Sequence, residues 1–296
     1  IIDEQHKFGV NQRKKLSDKG GDNCDILLMS ATPIPRTLTM TIYGDMDLSI
    51  IREKPKLRKQ VKTYSKPDSK IDEVLKFIQK KIKNENQIFW VCPLIEESKK
   101  LDHASAVQKY NFLKKKFPDK VDLLHGKTDT VEKDKILRNF LNQKTKILVS
   151  TTIIEVGIDF PNANIIIIEN ANKFGLSQLH QLRGRVGRGD KQSTCILMFK
   201  SSLTENAKKR LNILKSSTDG FKISEEDMKL RGFGDILGFK QSGIKIFKLA
   251  DPIHHSDLFE LAEKEIKYME KNDIQLNRYK TLMKLYDQAD VINDIV

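Results

Sequence analysis

Three arginines interleaved with three glycines stand out in this 296-residue chain: Gln181-Leu182-Arg183-Gly184-Arg185-Val186-Gly187-Arg188-Gly189. Glycine weakens a helix, and clustered guanidinium groups suit neither a core nor a quiet surface helix. Their planar forks match the equatorial oxygens of a transferring phosphoryl group, where an arginine finger contributes roughly 10³-fold or more in rate. A structural salt-bridge cluster is the alternative use of the same residues. A second group, Asp3-Glu4-Gln5-His6, follows the apolar pair Ile1-Ile2. Two adjacent carboxylates at the carboxyl end of a strand suit a nucleotide site, one holding Mg²⁺ through water and the other orienting or deprotonating an attacking water. The same tetrapeptide also occurs in ordinary solvated loops.

Two further segments carry small hydroxyl residues at strand ends. Ser30-Ala31-Thr32-Pro33 follows the apolar run Ile26–Met29 and continues as Ile34-Pro35-Arg36-Thr37. Such hydroxyls link a phosphate site to a moving neighbour, or simply close a turn at proline. Ser150-Thr151-Thr152 leads into Glu155-Val156-Gly157-Ile158-Asp159. Here Gly157 permits close backbone approach, Asp159 can accept from a ribose hydroxyl, and Thr151 and Thr152 can contact a phosphate backbone. A plain strand-to-loop transition is the other reading. Gly126-Lys127-Thr128 imitates the end of a P-loop, but GxxxxGK[ST] requires glycine where Val121 stands. No histidine pair has zinc spacing, and Cys24, Cys92 and Cys195 form no CxxC; they read as reduced, buried strand residues.

These groups need a scaffold, and the pattern supplies an alternating one. Strands are expected at Val61–Tyr64, Ile88–Cys92, Val121–Leu124, Ile147–Val149, Ile165–Ile168 and Thr194–Phe199. Helices are expected over 70–83, 104–117, 129–141 and 176–182, the third capped by Asp129 with Glu132 three residues on and carrying Val131, Ile136, Leu137, Phe140 and Leu141 on its apolar side. Strands alternating with helices predict an α/β fold with a parallel sheet covered on both faces. Ile1-Ile2 and Ile26–Met29 read as central strands, Ile1-Ile2 entering mid-element. Beyond residue 203 helical patterns take over, and Leu258, Leu261, Ala262, Ile266 and Met269 form a stripe expected to be core. Domain boundaries fall at about 60 and 203. The balance of 53 basic and 40 acidic residues gives +13, which favours a polyanionic partner or reflects a lysine-rich surface. No apolar stretch reaches the roughly 20 residues that span a bilayer.

Taken in order, the four segments resemble motifs II, III, V and VI of a superfamily 2 helicase. Longer strings resemble one branch, the RecG family: Asp3–Val10, Ser30–Leu38, Trp90–Ser98, Ser150–Asn162 and Ile168–Gly189. After them Asp219-Gly220-Phe221, Leu230-Arg231-Gly232 and Leu237–Gly243 resemble the TRG segment that RecG shares with the transcription-repair translocase Mfd. The resemblance implies a remnant of the first RecA-like lobe over 1–60, a complete second lobe over 61–203, and a TRG hairpin with C-terminal helices over 204–296. It implies that Asp3 is the Mg²⁺-associated acid, that Glu4 activates water, and that Gln181, Arg185 and Arg188 reach the γ-phosphate of ATP. It further implies that Gly157 and Asp159 contact the nucleotide, that Ser30, Thr32, Thr151 and Thr152 lie near the coupling and DNA track, and that Arg231, Gly232 and Gln241 convert lobe closure into movement. The implied cofactors are ATP and Mg²⁺, and the implied partners are branched duplex DNA at forks and Holliday junctions. A wedge domain and a Walker A loop are expected outside this sequence, so the 296 residues alone are expected to lack ATPase activity. A bacterial, cytoplasmic, nucleoid-associated monomer with no membrane contact completes the expectation. An Mfd-like translocase and an ATP-independent DNA-binding module are the competing readings.

Overall fold

Short β-branched and aliphatic runs alternate with amphipathic segments from residue 62 onward, and the computed structural model turns each run into a strand of one sheet. It describes residues 1–4, 15–16, 19–21, 25–30, 49–51, 53, 59–93, 99–151, 160–189, 191–200, 202–231 and 255–272. The strands are β1 (Lys62–Pro67), β2 (Gln87–Val91), β3 (Val121–Leu124), β4 (Ile147–Ser150), β5 (Ala163–Ile168) and β6 (Thr194–Phe199). They lie in the order β1-β6-β5-β2-β4-β3, and every pairing is parallel. The helices are α1 (Ile71–Lys83), α2 (Lys99–Lys116), α3 (Thr130–Leu141), α4 (Leu176–Arg183), α5 (Glu205–Ser216), α6 (Gly220–Arg231) and α7 (Ser256–Lys271).

Right-handed crossovers decide which face each helix covers. The chain moves one way along the sheet through α1 and α2, whose Val74, Ile78, Ile82, Ala106 and Leu113 pack with Trp90 and Val149. It returns through α3 and α4 on the other face, where Phe140, Leu179 and Leu182 meet Phe89, Ile166 and Ile168. The central strands are thus buried on both sides, which is why β2 and β5 read as unbroken apolar runs. Phe89, Phe140 and Phe160 stack at centroid distances of 5.2–5.7 Å in the second core. This is an α/β lobe with a fully parallel sheet, as the alternation predicted, and of the RecA-like type that the resemblance implied.

Asp129 caps α3 through the Glu132 N–H at 2.8 Å, as its sequence signature requires. Three expectations fail in whole or in part. Val131 is 81% and Leu141 48% exposed, so neither belongs to the α3 core face; they sit in its first and last turns. Leu258, Leu261 and Ile266 of α7 are 53–55% exposed, so the periodicity is real but the stripe is not core. The expected strand pair Ile1-Ile2 and Ile26–Met29 reduces to one parallel bridge, Ile2 with Leu28. The chain forms two compact units, Ile1–Pro35 with Asp47–Ser242, and Arg36–Met46 with Gly243–Val296. No helix of the described residues is long and apolar enough to cross a membrane.

Candidate functional site

The arginine run begins on α4, a helix whose Leu176, Leu179 and Leu182 are buried against the sheet while Gln181 stays partly exposed. Gly175 precedes α4 without a side-chain cap. The missing acceptor comes from Asp227 of α6, whose Oδ2 takes the Ser177 Oγ–H at 2.6 Å and the Ser177 N–H at 3.3 Å. A buried carboxylate at a helix N-terminus is favoured by the backbone dipole. At the other end of α4, Arg183 donates from Nη1 to the carbonyls of Leu214 (2.6 Å) and Ser217 (2.9 Å), which close α5. Its Nη2 lies 3.0 Å from His180 Nδ1. Arg210 of α5 adds bonds to the carbonyls of Asn172 and Phe174 just before α4, both at 3.2 Å. Helices α5 and α6 therefore hold α4 at both ends.

This separates three arginines that the sequence presents alike. Arg183 is 3% exposed and is a structural anchor, not a phosphate ligand; burial holds its pKa below the ordinary arginine value. Arg185 is partly exposed and Arg188 exposed. The loop that carries them is fixed by two glycines. Gly187 has φ +81°, and a Cβ there would lie 3.0 Å from Val61 Cγ2. A Cβ on Gly189 would meet the Pro161 carbonyl oxygen at 2.8 Å. Val61 and Pro161 precede β1 and β5, so Arg185 and Arg188 stand at the amino edge of the sheet.

Thr151 stands at the opposite edge, directly after β4. It is 2% exposed, and among the described residues neither its Oγ1 nor Ser150 Oγ has a hydrogen-bond partner. Buried hydroxyls seldom go unpaired, and each costs about 1–3 kcal/mol. Beside them at this edge, Lys109 of α2 pairs with Glu169 at 2.6 Å, its ammonium 5.4 Å from the Trp90 ring centre. Glu169 Oε2 is 3.8 Å from Cys92 Sγ. Burial first, then Glu169, pushes the Cys92 thiol well up, and burial pushes Cys195 up to about 12. Both cysteines are free, protonated thiols, as expected of buried strand residues rather than nucleophiles.

Asp3 and Ser30 are brought together by the Ile2–Leu28 bridge, through Ile2 N–H to Leu27 O and Met29 N–H to Ile2 O, each 2.8 Å. Asp3 Oδ1 accepts the Glu4 N–H at 2.8 Å, and Glu4 has φ +50°, a left-handed conformation that side chains disfavour by roughly 1 kcal/mol or more. Thr32, Thr152, Gly157, Asp159, Gly232 and Gln241 lie outside the described residues. Arg231 ends α6, with its side chain likewise outside them. Among the described residues no group of three or more His, Cys, Asp or Glu is arranged to hold a metal. Asp227, Arg210 and the anchoring role of Arg183 escaped the sequence reading, because their partners lie 31 to 50 residues away with no local signature.

A parallel lobe with an arginine loop at one edge and buried hydroxyls at the other matches, as a sequence, the second lobe of a helicase core. Residues 69–190 match the helicase conserved C-terminal domain, and residues 217–289 match the model "ATP-dependent DNA helicase RecG, domain 3, C-terminal". The ATP-dependent DNA helicase RecG of Bacillus subtilis (strain 168) is 50% identical over 275 residues, 92% of this chain and 40% of that protein. Its Thermotoga maritima counterpart is 47% identical over 278 residues, 93% of this chain and 35% of that one. A solved RecG bound to a three-way DNA junction is 44% identical with a TM-score of 0.66, covering 88% of this chain and 33% of that one. Yeast Dbp5 bound to RNA and ADP BeF3, at 16% identity and a TM-score of 0.50, shares the fold, over 88% of this chain and 61% of its own. The chain belongs to the RecG family and spans about two-fifths of the length of the curated relatives it matches.

Proposed function

We propose that this chain is the motor's second lobe and coupling segment in an ATP-dependent translocase that moves on branched duplex DNA, regressing forks and migrating Holliday junctions. The observation that carries the reading is the loop at Gly184–Gly189, which offers Arg185 and Arg188 while Arg183 locks it to α5. Arg185 and Arg188 would stabilise charge on the transferring phosphoryl group, with Gln181 beside them. Asp3 and Glu4 are adjacent carboxylates beside Ser30, a donor set that suits Mg²⁺ held mainly by substrate phosphates and water. Mg²⁺ would neutralise phosphate charge there, while Glu4 orients the attacking water. Thr151, with its orphaned hydroxyl, faces the DNA track in this reading, together with Thr32 and Thr152. Gly157 and Asp159 contact the nucleotide, and Arg231, Gly232 and Gln241 pass lobe closure on to the duplex. The proposed division is 1–60 for part of the first lobe, 61–203 for the second, and 204–296 for the coupling region. The protein works as a cytoplasmic, nucleoid-associated monomer.

The 296 residues contain no GxxxxGK[ST] sequence, so turnover needs a phosphate cradle that they do not supply. The test is DNA-stimulated ATP hydrolysis on a branched duplex, by this chain and by a full-length RecG-family protein carrying it. Only the longer protein should turn over, and Arg185→Ala should slow it about 10³-fold or more. Hydrolysis by the 296-residue chain itself would return the nucleotide site to Gly126-Lys127-Thr128.

A further inference from the structure

A cavity of about 690 Å³ opens beside the amino end of β1, lined among others by Lys59, Lys62, Thr63, Gln192, Lys215 and Ser217. Lys66, Lys70, Lys109, Lys208 and Lys229 each pair with a glutamate, whereas among the described residues the three cavity lysines pair with none. The carboxylate on the rim, Asp219, is turned to the start of α6, where it accepts the Phe221 N–H at 2.9 Å. Behind the wall lies the buried Arg183. Its Nη1 donates to Ser217 O at 2.9 Å and reaches Thr63 Oγ1 at 3.5 Å, so two of its acceptors belong to residues that line the cavity. Those acceptors are neutral, and among the described residues no carboxylate balances the guanidinium.

A buried cation with no carboxylate beside it retains its desolvation cost, and a nearby anion would offset it. Three exposed ammonium groups around one polar concavity add to the same positive potential. A phosphate group matches it in charge and in the number of acceptor oxygens. A lysine-rich surface would scatter such charges over convex faces without an unbalanced arginine beneath. We propose that this cavity is a phosphate-binding site, set beside the arginine loop but built from other residues, and occupied by either the backbone of duplex DNA or a free phosphate compound. The duplex source rests on the function proposed above; the free-phosphate source does not.

The experiment uses the chain with Lys59→Gln, Lys62→Gln and Lys215→Gln together, and a control with Lys76→Gln, Lys80→Gln and Lys83→Gln on the outside of α1. Fluorescence anisotropy of a labelled duplex would give the slope of log K against log salt. Amide NMR would follow pyrophosphate at Thr63, Gln192 and Ser217. If the duplex fills the cavity, the triple variant loses about 2–3 from the slope, since each lost phosphate contact removes about 0.9; the control keeps its slope. If a free phosphate compound fills it, pyrophosphate shifts those amides in the parent and not in the variant, with the duplex slope unchanged. A parent chain that binds no duplex at any salt would count against the DNA reading for these residues, and pyrophosphate would then decide the cavity alone. The proposal is overturned if the slope changes no more than in the control and pyrophosphate leaves the three amides unmoved.

Discussion

The two halves of the proposed nucleotide site are built by different means. The arginine loop is held from four sides, by Asp227 on Ser177, Arg183 on α5, Arg210 on the preceding turn, and two glycines pressed against Val61 and Pro161. Among the described residues the acidic pair is tied by one β-bridge with two hydrogen bonds, and Ile1, Ile26, Leu27 and Met29 around it are 39–88% exposed. A loop with that many long-range partners is positioned before any ligand arrives, because moving it would leave buried carbonyls and a buried carboxylate unpaired. A single bridge between segments with uncovered side chains gains too little burial to hold a geometry by itself. The contrast assigns precision to the arginines and adaptability to the carboxylates.

Hydrogen exchange tests that contrast most sharply. Amides of β5 should exchange only through global opening, whereas the Ile2 and Met29 amides should exchange at least about 10³-fold faster by local opening. Equal protection of the two regions would erase the difference. Arg183→Met keeps the bulk but strands the Leu214 and Ser217 carbonyls, so urea unfolding should show a loss of about 2–4 kcal/mol. Arg188→Met, on the exposed part of the same loop, should stay within about 0.5 kcal/mol. Similar costs for the two would mean that the loop is not divided into anchor and reach. Gly189→Ala must displace the Pro161 carbonyl, and a loss of about 1–3 kcal/mol is expected in the same assay.

The smallest effect is electrostatic and lies away from both halves. Lys66 and Lys70 hydrogen-bond Glu73 and lower its pKa from 4.5 to about 2. A depressed carboxylate stabilises above its unfolded value, so this contribution is present above pH 4.5 and disappears as pH falls towards 2. The group is fully exposed, and NMR titration of Glu73 should show the low midpoint with little change in melting temperature. A midpoint near 4.5 would show that the pair does not form.

Much of the scaffold was legible because local rules fix it. The apolar runs at Ile165–Ile168 and Thr194–Phe199 had to be buried strands, Asp129 had to cap α3, and the alternation had to give a parallel sheet. The α7 stripe misled for a reason of the same kind: periodicity shows which face is apolar, not whether anything covers it. Val131 repeated that error on a smaller scale.

The residue types of the site were likewise set by sequence, since the arginine–glycine run and the Asp3-Glu4 pair carry their chemistry wherever the chain places them. That Arg183 is the anchor was decided only in three dimensions. Arg183, Arg185 and Arg188 have the same side chain and similar neighbours; what distinguishes Arg183 is a pair of carbonyls 31 and 34 residues away. Burial and hydrogen-bond satisfaction depend on partners from distant parts of the chain, and no local pattern of residues encodes them.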